Sequence, residues 1–373
     1  MPHQIGLTRP TRLTSSATAA ALTLLLLVGC AATPEPDPPF VAPVYPPAPA
    51  EPRFIFERTL LYNDDIETLS GKEKFRLFAT GEARQSKGMV KPFDIAVHKG
   101  KVYVSDSVQR SVLLFDIPGK RFSEIGTSQP GTLHKPLGID VATNGHLFVA
   151  DISALRILEY DASGQFVRRL GSKADFSRPT DVTVSNDGTR LYVVDTGGVE
   201  SDSHNVVIFD LATGKAIKTV GQRGVEEGEF NLPLQITNSI NGGWYIVDGG
   251  NFRVQAFNND DSFKLAFGKI GRYPGQFARP KGIATDPDGN IYVIDSAFGN
   301  VQIFNESGEL LLFMGQRGQS GIPGRYMLPS GIDIDEDGRI YIVDQFFRKV
   351  DVFRPYALGA DEGYAADPII RED

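Results

Sequence analysis

The sequence predicts an all-β fold, a six-bladed β-propeller, and two features of the chain support this prediction. A motif of short apolar strands and glycine turns recurs six times, and each copy ends an aromatic, β-branched strand on an aspartate. These aspartates are Asp106, Asp151, Asp195, Asp248, Asp295 and Asp344. Their spacing of 44 to 53 residues is that of four-stranded propeller blades rather than of helical solenoids. The 39 glycines and 24 prolines are also typical of many short strands joined by turns.

Each copy of the repeat is predicted to form four strands. The innermost strand follows a proline, as at 93–97 after Pro92, and a turn such as Asp288 and Gly289 then reverses the chain. Residues of these types tolerate the positive φ angles of two-residue turns. The second strand, for example 291–295, suits packing between neighbouring blades. The third strand ends on an aromatic residue, and the fourth leads into a glycine-rich loop that crosses to the next blade.

The sixth copy lacks a fourth strand, because no strand pattern follows Phe353. Residues 75–78 have the pattern of a fourth strand followed by a crossover loop, yet they precede the first complete copy. We therefore expect 75–78 to complete the last blade and close the ring, which removes exposed sheet edges. Residues 53–60 also alternate as a strand does, but the sequence gives them no position.

The N-terminus has the order of charged, apolar and small residues that is typical of a secretory signal. Arg9 and Arg12 precede an apolar run at 19–28, which is too short to span a membrane and leads into Leu-Val-Gly-Cys ending at Cys30. This motif resembles the lipobox of bacterial lipoproteins, and Cys30 is the only cysteine in the chain. The resemblance implies cleavage before Cys30 and its lipidation. An ordinary signal peptide with an incidental cysteine is the alternative.

The resemblance to lipoproteins also predicts where the protein lies. Ala31, in place of an aspartate, implies sorting to the outer membrane, at its periplasmic face or at the cell surface. Two or three acyl chains hold a protein on a membrane stably. The sequence thus divides into a signal peptide (1–29), a lipidated cysteine with a proline-rich tether (30–52), the propeller (53–358) and a flexible acidic tail (359–373).

The repeats resemble NHL repeats over roughly residues 74–354, because the copies share the order of a proline, an inner strand, a second strand of the Tyr-Val-x-Asp type and a third strand ending in an aromatic residue. The resemblance implies a six-bladed propeller. It leaves the activity open, since the family includes RNA binders, protein scaffolds and metal-dependent lyases and hydrolases. The formal net charge of −8 argues against a nucleic-acid partner, which requires clustered basic residues.

The repeated aspartate is predicted to be structural, because a catalytic group would break the symmetry of the six copies. Its carboxylate is expected to accept hydrogen bonds from backbone N–H groups of the adjacent loop. Arginines that follow it by four or five residues are expected to be its local partners, or contacts for an anionic partner on one face. With a histidine in the insertion 197–204, the candidate face contacts are Arg110, Arg156, Arg253, Arg348 and His204.

Inner-strand residues that differ among the copies are candidates for the axial channel and for ligand contact. These residues are Asp94, Asp140, Asp181, Gln235 and Asp333. Carboxylate and carbonyl oxygens bind Ca²⁺, so a calcium ion in the channel is one expectation, whereas hydrated residues without a fixed metal are the favoured one. No other cofactor is predicted. The histidines fall in different loop classes, which argues against a three-histidine zinc lyase.

The sequence therefore predicts a non-catalytic, membrane-anchored envelope propeller that acts as a scaffold or adaptor for a protein or a polysaccharide. A metal-dependent lyase or hydrolase of calcium type, with its site in the axial channel, is the alternative. A purely structural assembly module is a third possibility.

Overall fold

The computed structural model describes residues 40–69, 71–84, 86–198 and 200–366, and within them the chain forms six four-stranded units in a ring. The predicted six-bladed propeller is confirmed. The signal peptide and Cys30 lie outside the described residues, as does the end of the predicted tail from 367 onward. Residues 359–366 of that tail contact blade 6, where the Arg339 guanidinium donates to the Glu362 carbonyl and Ala365 is buried.

Blades 1 to 5 each consist of four consecutive antiparallel strands, which follow one another from the axis outward. Blade 1 contains Pro92–His98, Lys101–Asp106, Ser111–Asp116 and Arg121–Ile125. Blade 2 contains Pro136–Val141, Leu147–Asp151, Arg156–Tyr160 and Phe166–Leu170. Blade 3 contains Pro179–Val184, Arg190–Asp195, Asn205–Asp210 and Lys215–Val220. Blade 4 contains Pro233–Asn238, Trp244–Asp248, Arg253–Phe257 and Phe263–Phe267, and blade 5 contains Pro280–Thr285, Ile291–Asp295, Asn300–Phe304 and Leu310–Met314.

Blade 6 is assembled from both ends of the propeller. Its three inner strands are Pro329–Ile334, Ile340–Asp344 and Lys349–Pro355, and its fourth is Phe54–Leu60. Closure of the ring by an N-terminal strand is thus confirmed, with Phe54 opposite Pro355 and Leu60 opposite Val350. The two-residue strand Val44–Tyr45 adds a fifth member at the outer edge.

The expectation that residues 75–78 form the closing strand is wrong. They lie in an α-helix, Gly71–Thr80, which we call α1. Its lysines, glutamate, arginine, leucine and alanine favour a helix, whereas Phe54–Leu60 is rich in aromatic and β-branched residues that favour a strand. Both segments carry two phenylalanines, so the aromatic pattern alone did not distinguish them.

The propeller has two faces, which we name after their connections. The turn face carries the turns between the first and second strands of each blade, such as that at Lys99 and Gly100. The crossover face is the opposite end, where the chain passes from each fourth strand to the next blade. The crossover from blade 6 to blade 1 spans 61–91 and contains the 3₁₀ helix Asn63–Asp65 and α1. Other short elements are the 3₁₀ helix Gly249–Asn251 and the parallel pair Gln316–Arg317 and Arg325–Tyr326.

The core lies between blades, because the apolar side chains of each second strand face both neighbours. One cluster joins Tyr192 of blade 3 to Trp244 of blade 4, and the Trp244 ring stacks on Phe257 with centroids 3.9 Å apart. Burial of each such side chain stabilises the fold by about 1.5–3 kcal/mol. In the part of the chain that the structure describes, no helix is long and apolar enough to cross a membrane.

Candidate functional site

The repeated aspartates hold the crossover face together. In blade 1, one carboxylate oxygen of Asp106 accepts from the backbone N–H groups of Val90 and Lys91, at 2.7 and 2.9 Å. The other accepts from the N–H groups of Val108 and Gln109, at 3.0 and 2.9 Å. Asp344 repeats the arrangement in blade 6. Each carboxylate therefore satisfies loop N–H groups that would otherwise lack partners, as the sequence predicts.

Three of the candidate channel residues meet at the axis. Asp94 Oδ1 accepts from Gln235 Nε2 at 2.7 Å, and Asp94 Oδ2 accepts from the Ile139 N–H of blade 2 at 3.0 Å. Asp181 Oδ2 accepts from the Ile236 N–H of blade 4 at 2.8 Å. All three side chains are buried, so the axis is filled by polar groups that connect blades 1 to 4.

Asp140 and Asp333 form a second layer nearer the turn face. Asp140 Oδ2 accepts from the Val184 N–H at 2.7 Å and from Thr183 Oγ1 at 3.0 Å, which ties blade 2 to blade 3. Asp333 Oδ2 accepts from the Val97 N–H at 2.7 Å, which ties blade 6 to blade 1. The inner-strand carboxylates thus bond blade 6 to blade 1, blade 1 to blade 2, blade 2 to blade 3 and blade 3 to blade 4.

Burial makes these carboxyl groups weaker acids than exposed aspartates. Desolvation raises the pKa of Asp94 and that of Asp140 to about 6. Desolvation, reinforced by the charges of Asp94 and of Asp140 respectively, raises the pKa values of Asp181 and Asp333 well above their ordinary range. Asp181 Oδ1 is buried and accepts no hydrogen bond among the described residues. Because a protonated carboxyl is a donor, a proton held between Asp181 and Asp94 would satisfy this oxygen.

The axial carboxylates do not fit the calcium site that the sequence allows. Ca²⁺ needs six to eight oxygen ligands. In this ring, N–H and hydroxyl donors already point at the oxygens of Asp94, Asp140 and Asp333. Within the described ranges, no group of three or more histidine, aspartate or glutamate side chains is arranged to hold a metal ion.

The axis opens on the turn face into a cavity of about 440 Å³, which we call the funnel. All six blades line it through the ends of their inner strands. Its ionisable groups are Asp140, Asp286, Asp333, Asp335, Glu336 and His98, and His98 Nδ1 lies 2.9 Å from Glu336 Oε1. Thr183, Asn186, Asn238 and Thr285 add hydroxyl and amide groups. Sequence reasoning identified Asp140 and Asp333 but missed the others, although they occupy equivalent positions at or just after each inner strand.

Grooves between blades extend the concave surface of the turn face. One of about 390 Å³ lies between blades 5 and 6 and includes Tyr292 and Asp337. Another of about 370 Å³ lies between blades 3 and 4 and includes Arg190 and Asn241. A third of about 540 Å³ lies between blades 2 and 3. The turn face therefore offers a recessed centre with radial grooves.

The candidate face contacts are not gathered into one site. Expecting His204 to be a surface contact was wrong, because it is 1% exposed and its Nδ1 accepts from the Leu232 N–H at 3.1 Å. Arg253 donates to its repeated aspartate, Asp248, at 2.8 Å, as predicted, whereas Arg156 donates to the Ala154 carbonyl at 3.1 Å and not to Asp151. The two candidates exposed on the crossover face are Arg110 and Arg348.

A ring of other cations surrounds the axis on the crossover face. Four of them stand immediately before the proline that begins an inner strand, namely Lys91, Lys135, Arg178 and Arg279. The fifth, Lys281, lies with its Nζ 4.7 Å from the centroid of the Phe93 ring, and burial lowers its pKa to about 8. The two mouths of the axis therefore differ in charge: the turn face is acidic and the crossover face basic.

Comparison with known proteins agrees with the architecture. The DUF5128 model, described as a 6-bladed beta-propeller, matches residues 285–354. A Bacteroides thetaiotaomicron protein of unknown function is 17% identical, with a TM-score of 0.57 over 73% of this chain and 71% of that one. A Xanthomonas campestris gluconolactonase is 18% identical, with a TM-score of 0.54 over 72% of this chain and 86% of that one. A Staphylococcus aureus virginiamycin B lyase is 14% identical, with a TM-score of 0.52 over 71% of this chain and 95% of that one. At these identities the likeness shows the fold alone.

Proposed function

We propose that this protein is a lipid-anchored envelope propeller that binds a protein or a polysaccharide through the funnel and grooves of its turn face, without catalysing a reaction. The observation that carries the proposal is the funnel itself, a recessed polar surface to which all six blades contribute. Propellers commonly bind ligands at such axial surfaces, and a rigid ring keeps the entropic cost of binding low.

The chemistry of the funnel suits recognition. The exposed Thr143 hydroxyl and the side-chain amide oxygens of Asn186 and Asn238 provide a donor and acceptors for sugar hydroxyls or for the backbone and basic side chains of a protein. The deeper carboxylates are engaged in bonds between blades, so they support the ring rather than a reaction. The exposed side chain of Ile240 at the rim supplies apolar contact.

Anchoring rests on the sequence around Cys30. Lipidation at this cysteine would hold the propeller at the outer membrane, on the periplasmic face or the cell surface, and the proline-rich segment to Pro52 would separate the two. A partner in the envelope is then the expected ligand.

A metal-dependent lyase or hydrolase is the second candidate, since two of the structurally similar propellers are named as a lyase and a gluconolactonase. The two candidates differ in their response to calcium. The binding proposal expects millimolar CaCl₂ to leave the midpoint of thermal unfolding unchanged. A rise in the midpoint that Asp140→Asn abolishes would favour the enzyme.

Site-specific photo-cross-linking in intact cells tests the proposed binding face. A photoreactive amino acid at Ile240, on the funnel rim, is expected to give one discrete adduct. Matched positions of similar exposure are Ile217 on the fourth strand of blade 3 and Val108 on the crossover face. The adduct at Ile240 should disappear with Asn238→Ala in the funnel. Adducts equally strong at all three positions, or only at Ile217 or Val108, would contradict the proposal.

A further inference from the structure

Helix α1 is the most exposed regular element of the described chain. None of its residues is buried, and Phe75 and Phe78 have exposed fractions of 70% and 87%. An exposed pair of phenylalanines is costly in water and marks an interaction surface when it is contiguous. The enlarged crossover that carries α1 is not needed to connect two blades, since the other crossovers do so without a helix.

The helix has an aromatic face with basic flanks. At 3.6 residues per turn, Phe75 and Phe78 lie on one face, with Lys74 on one side of it and Lys72 on the other. The opposite side carries Glu73, Arg76 and Leu77, and all three line the cleft between α1 and the rest of the crossover. The face away from the propeller is therefore the aromatic and basic one.

The position of α1 matches the direction from which the chain arrives. The strand Val44–Tyr45 runs antiparallel to Phe54–Leu60, so the chain enters along blade 6 from the crossover face towards the turn face. The fourteen residues from Cys30 to Val44 span at most about 50 Å when extended. The crossover face also carries the ring of five cations around the axis.

We propose that α1 is an interfacial membrane contact, in which Phe75 and Phe78 enter the boundary between headgroups and acyl chains of an anionic bilayer. Lys72 and Lys74, which flank the aromatic face, then lie beside the lipid phosphates. Aromatic residues between basic residues are the arrangement that such interfacial helices use. This inference rests on the proposed lipid anchor, because a ten-residue helix binds lipid weakly alone and gains its affinity from the high local concentration that a tether imposes.

In this arrangement the crossover face contacts the membrane and the turn face binds the partner. With α1 and the cation ring towards the lipid, the acidic funnel of the turn face is directed away from the membrane, where a partner can reach it. Repulsion between funnel carboxylates such as Asp286 and anionic headgroups favours the same orientation.

Quenching by brominated lipid tests the contact. The full lipidated chain carrying Phe75→Trp is reconstituted into vesicles of phosphatidylethanolamine and phosphatidylglycerol with bromine on the acyl chains. The one native tryptophan, Trp244, is fully buried and serves as the unquenched reference. We expect the introduced indole to be quenched at least twofold. Phe313 is exposed on the fourth strand of blade 5. In the control variant Phe313→Trp, the brominated lipid should quench the fluorescence no more than it does in the wild type.

Four further outcomes decide the inference. Replacing Lys72 and Lys74 by glutamate should abolish the quenching without lowering the unfolding midpoint, since both are exposed and neither lines the cleft. An unquenched indole in a chain that still floats with the vesicles overturns the role of α1 and leaves the anchor standing. A chain that does not float overturns both. Cross-linking from position 75 to a protein in cells, without quenching in vesicles, would assign α1 to a protein partner instead.

Discussion

At the scale of single residues, the inner-strand carboxyls are structural groups whose protonation stabilises the ring. Asp140 shows this most simply, because its oxygens accept bonds from blade 3 while burial disfavours its charge. The folded chain therefore binds a proton at Asp140 more tightly than the unfolded chain does. As a result, the free energy of unfolding falls as the pH rises from about 4 to about 6.

We predict that Asp140→Asn flattens this dependence. The amide keeps an acceptor for the Val184 N–H without a charge to bury, so the variant should equal the wild type near pH 4 and exceed its free energy of unfolding by about 1–2 kcal/mol at pH 7.5. Urea unfolding at several pH values measures it. The control is Asp210→Asn at the surface, where hydrogen bonds from Thr213 lower the pKa of Asp210. This variant should be less stable than the wild type above about pH 4, because it lacks the carboxylate that accepts those bonds. A pH profile for Asp140→Asn parallel to that of the wild type would disprove the assignment.

The inner strands carry glycines where a larger side chain would clash with neighbouring groups at the axis. A Cβ on Gly138 would lie 1.9 Å from Asp181 Oδ1. We predict that Gly138→Ala lowers the free energy of unfolding by about 1–3 kcal/mol, because the carboxyl pair must move. Thermal unfolding measures the change, and Gly198→Ala is the matched control, since its Cβ meets nothing closer than 3.9 Å. Equal effects of the two substitutions would contradict close packing at the axis.

At the scale of elements, the closing strand is held to blade 6 by a buried ion pair as well as by its ladder. Arg339 is fully buried, and its Nε donates to Glu57 Oε2 at 2.8 Å. The same guanidinium reaches Asp337 and the Glu362 carbonyl, so one side chain joins the second strand, the closing strand and the segment after Pro355.

We predict that Arg339→Ala lowers the free energy of unfolding by about 3–5 kcal/mol, because it removes a buried guanidinium that pairs with Glu57 and Asp337, and leaves Arg58 as the charged partner of Glu57. Hydrogen exchange should accelerate first in Phe54–Leu60. Arg121→Ala, which removes an exposed partner of Asp116, should change stability by less than about 1 kcal/mol. Unchanged exchange in the closing strand of Arg339→Ala would show that the ladder alone holds it.

At the scale of the whole molecule, the closed ring determines solubility. Without Phe54–Leu60, the strand Lys349–Pro355 becomes an edge with unpaired N–H and C=O groups. We predict that deleting 42–60 gives a chain that aggregates and unfolds without a cooperative transition, as measured by size-exclusion chromatography and calorimetry. The control is a circular permutant in which 54–60 follow Pro355 through a short turn, because Phe54 and Pro355 are Cα partners. A soluble, cooperative deletion variant would refute the role of closure.

The sequence by itself determined the number of blades, their strand order and the structural role of the repeated aspartates, because each depends on a local pattern repeated six times. It also required an N-terminal strand, since the sixth copy is one strand short. Only the tertiary structure decided which segment supplies that strand, the burial of His204 and the bonds among Asp94, Asp181 and Gln235. These depend on contacts between residues distant in sequence, and no local pattern specifies which backbone N–H will face a given side chain across the ring.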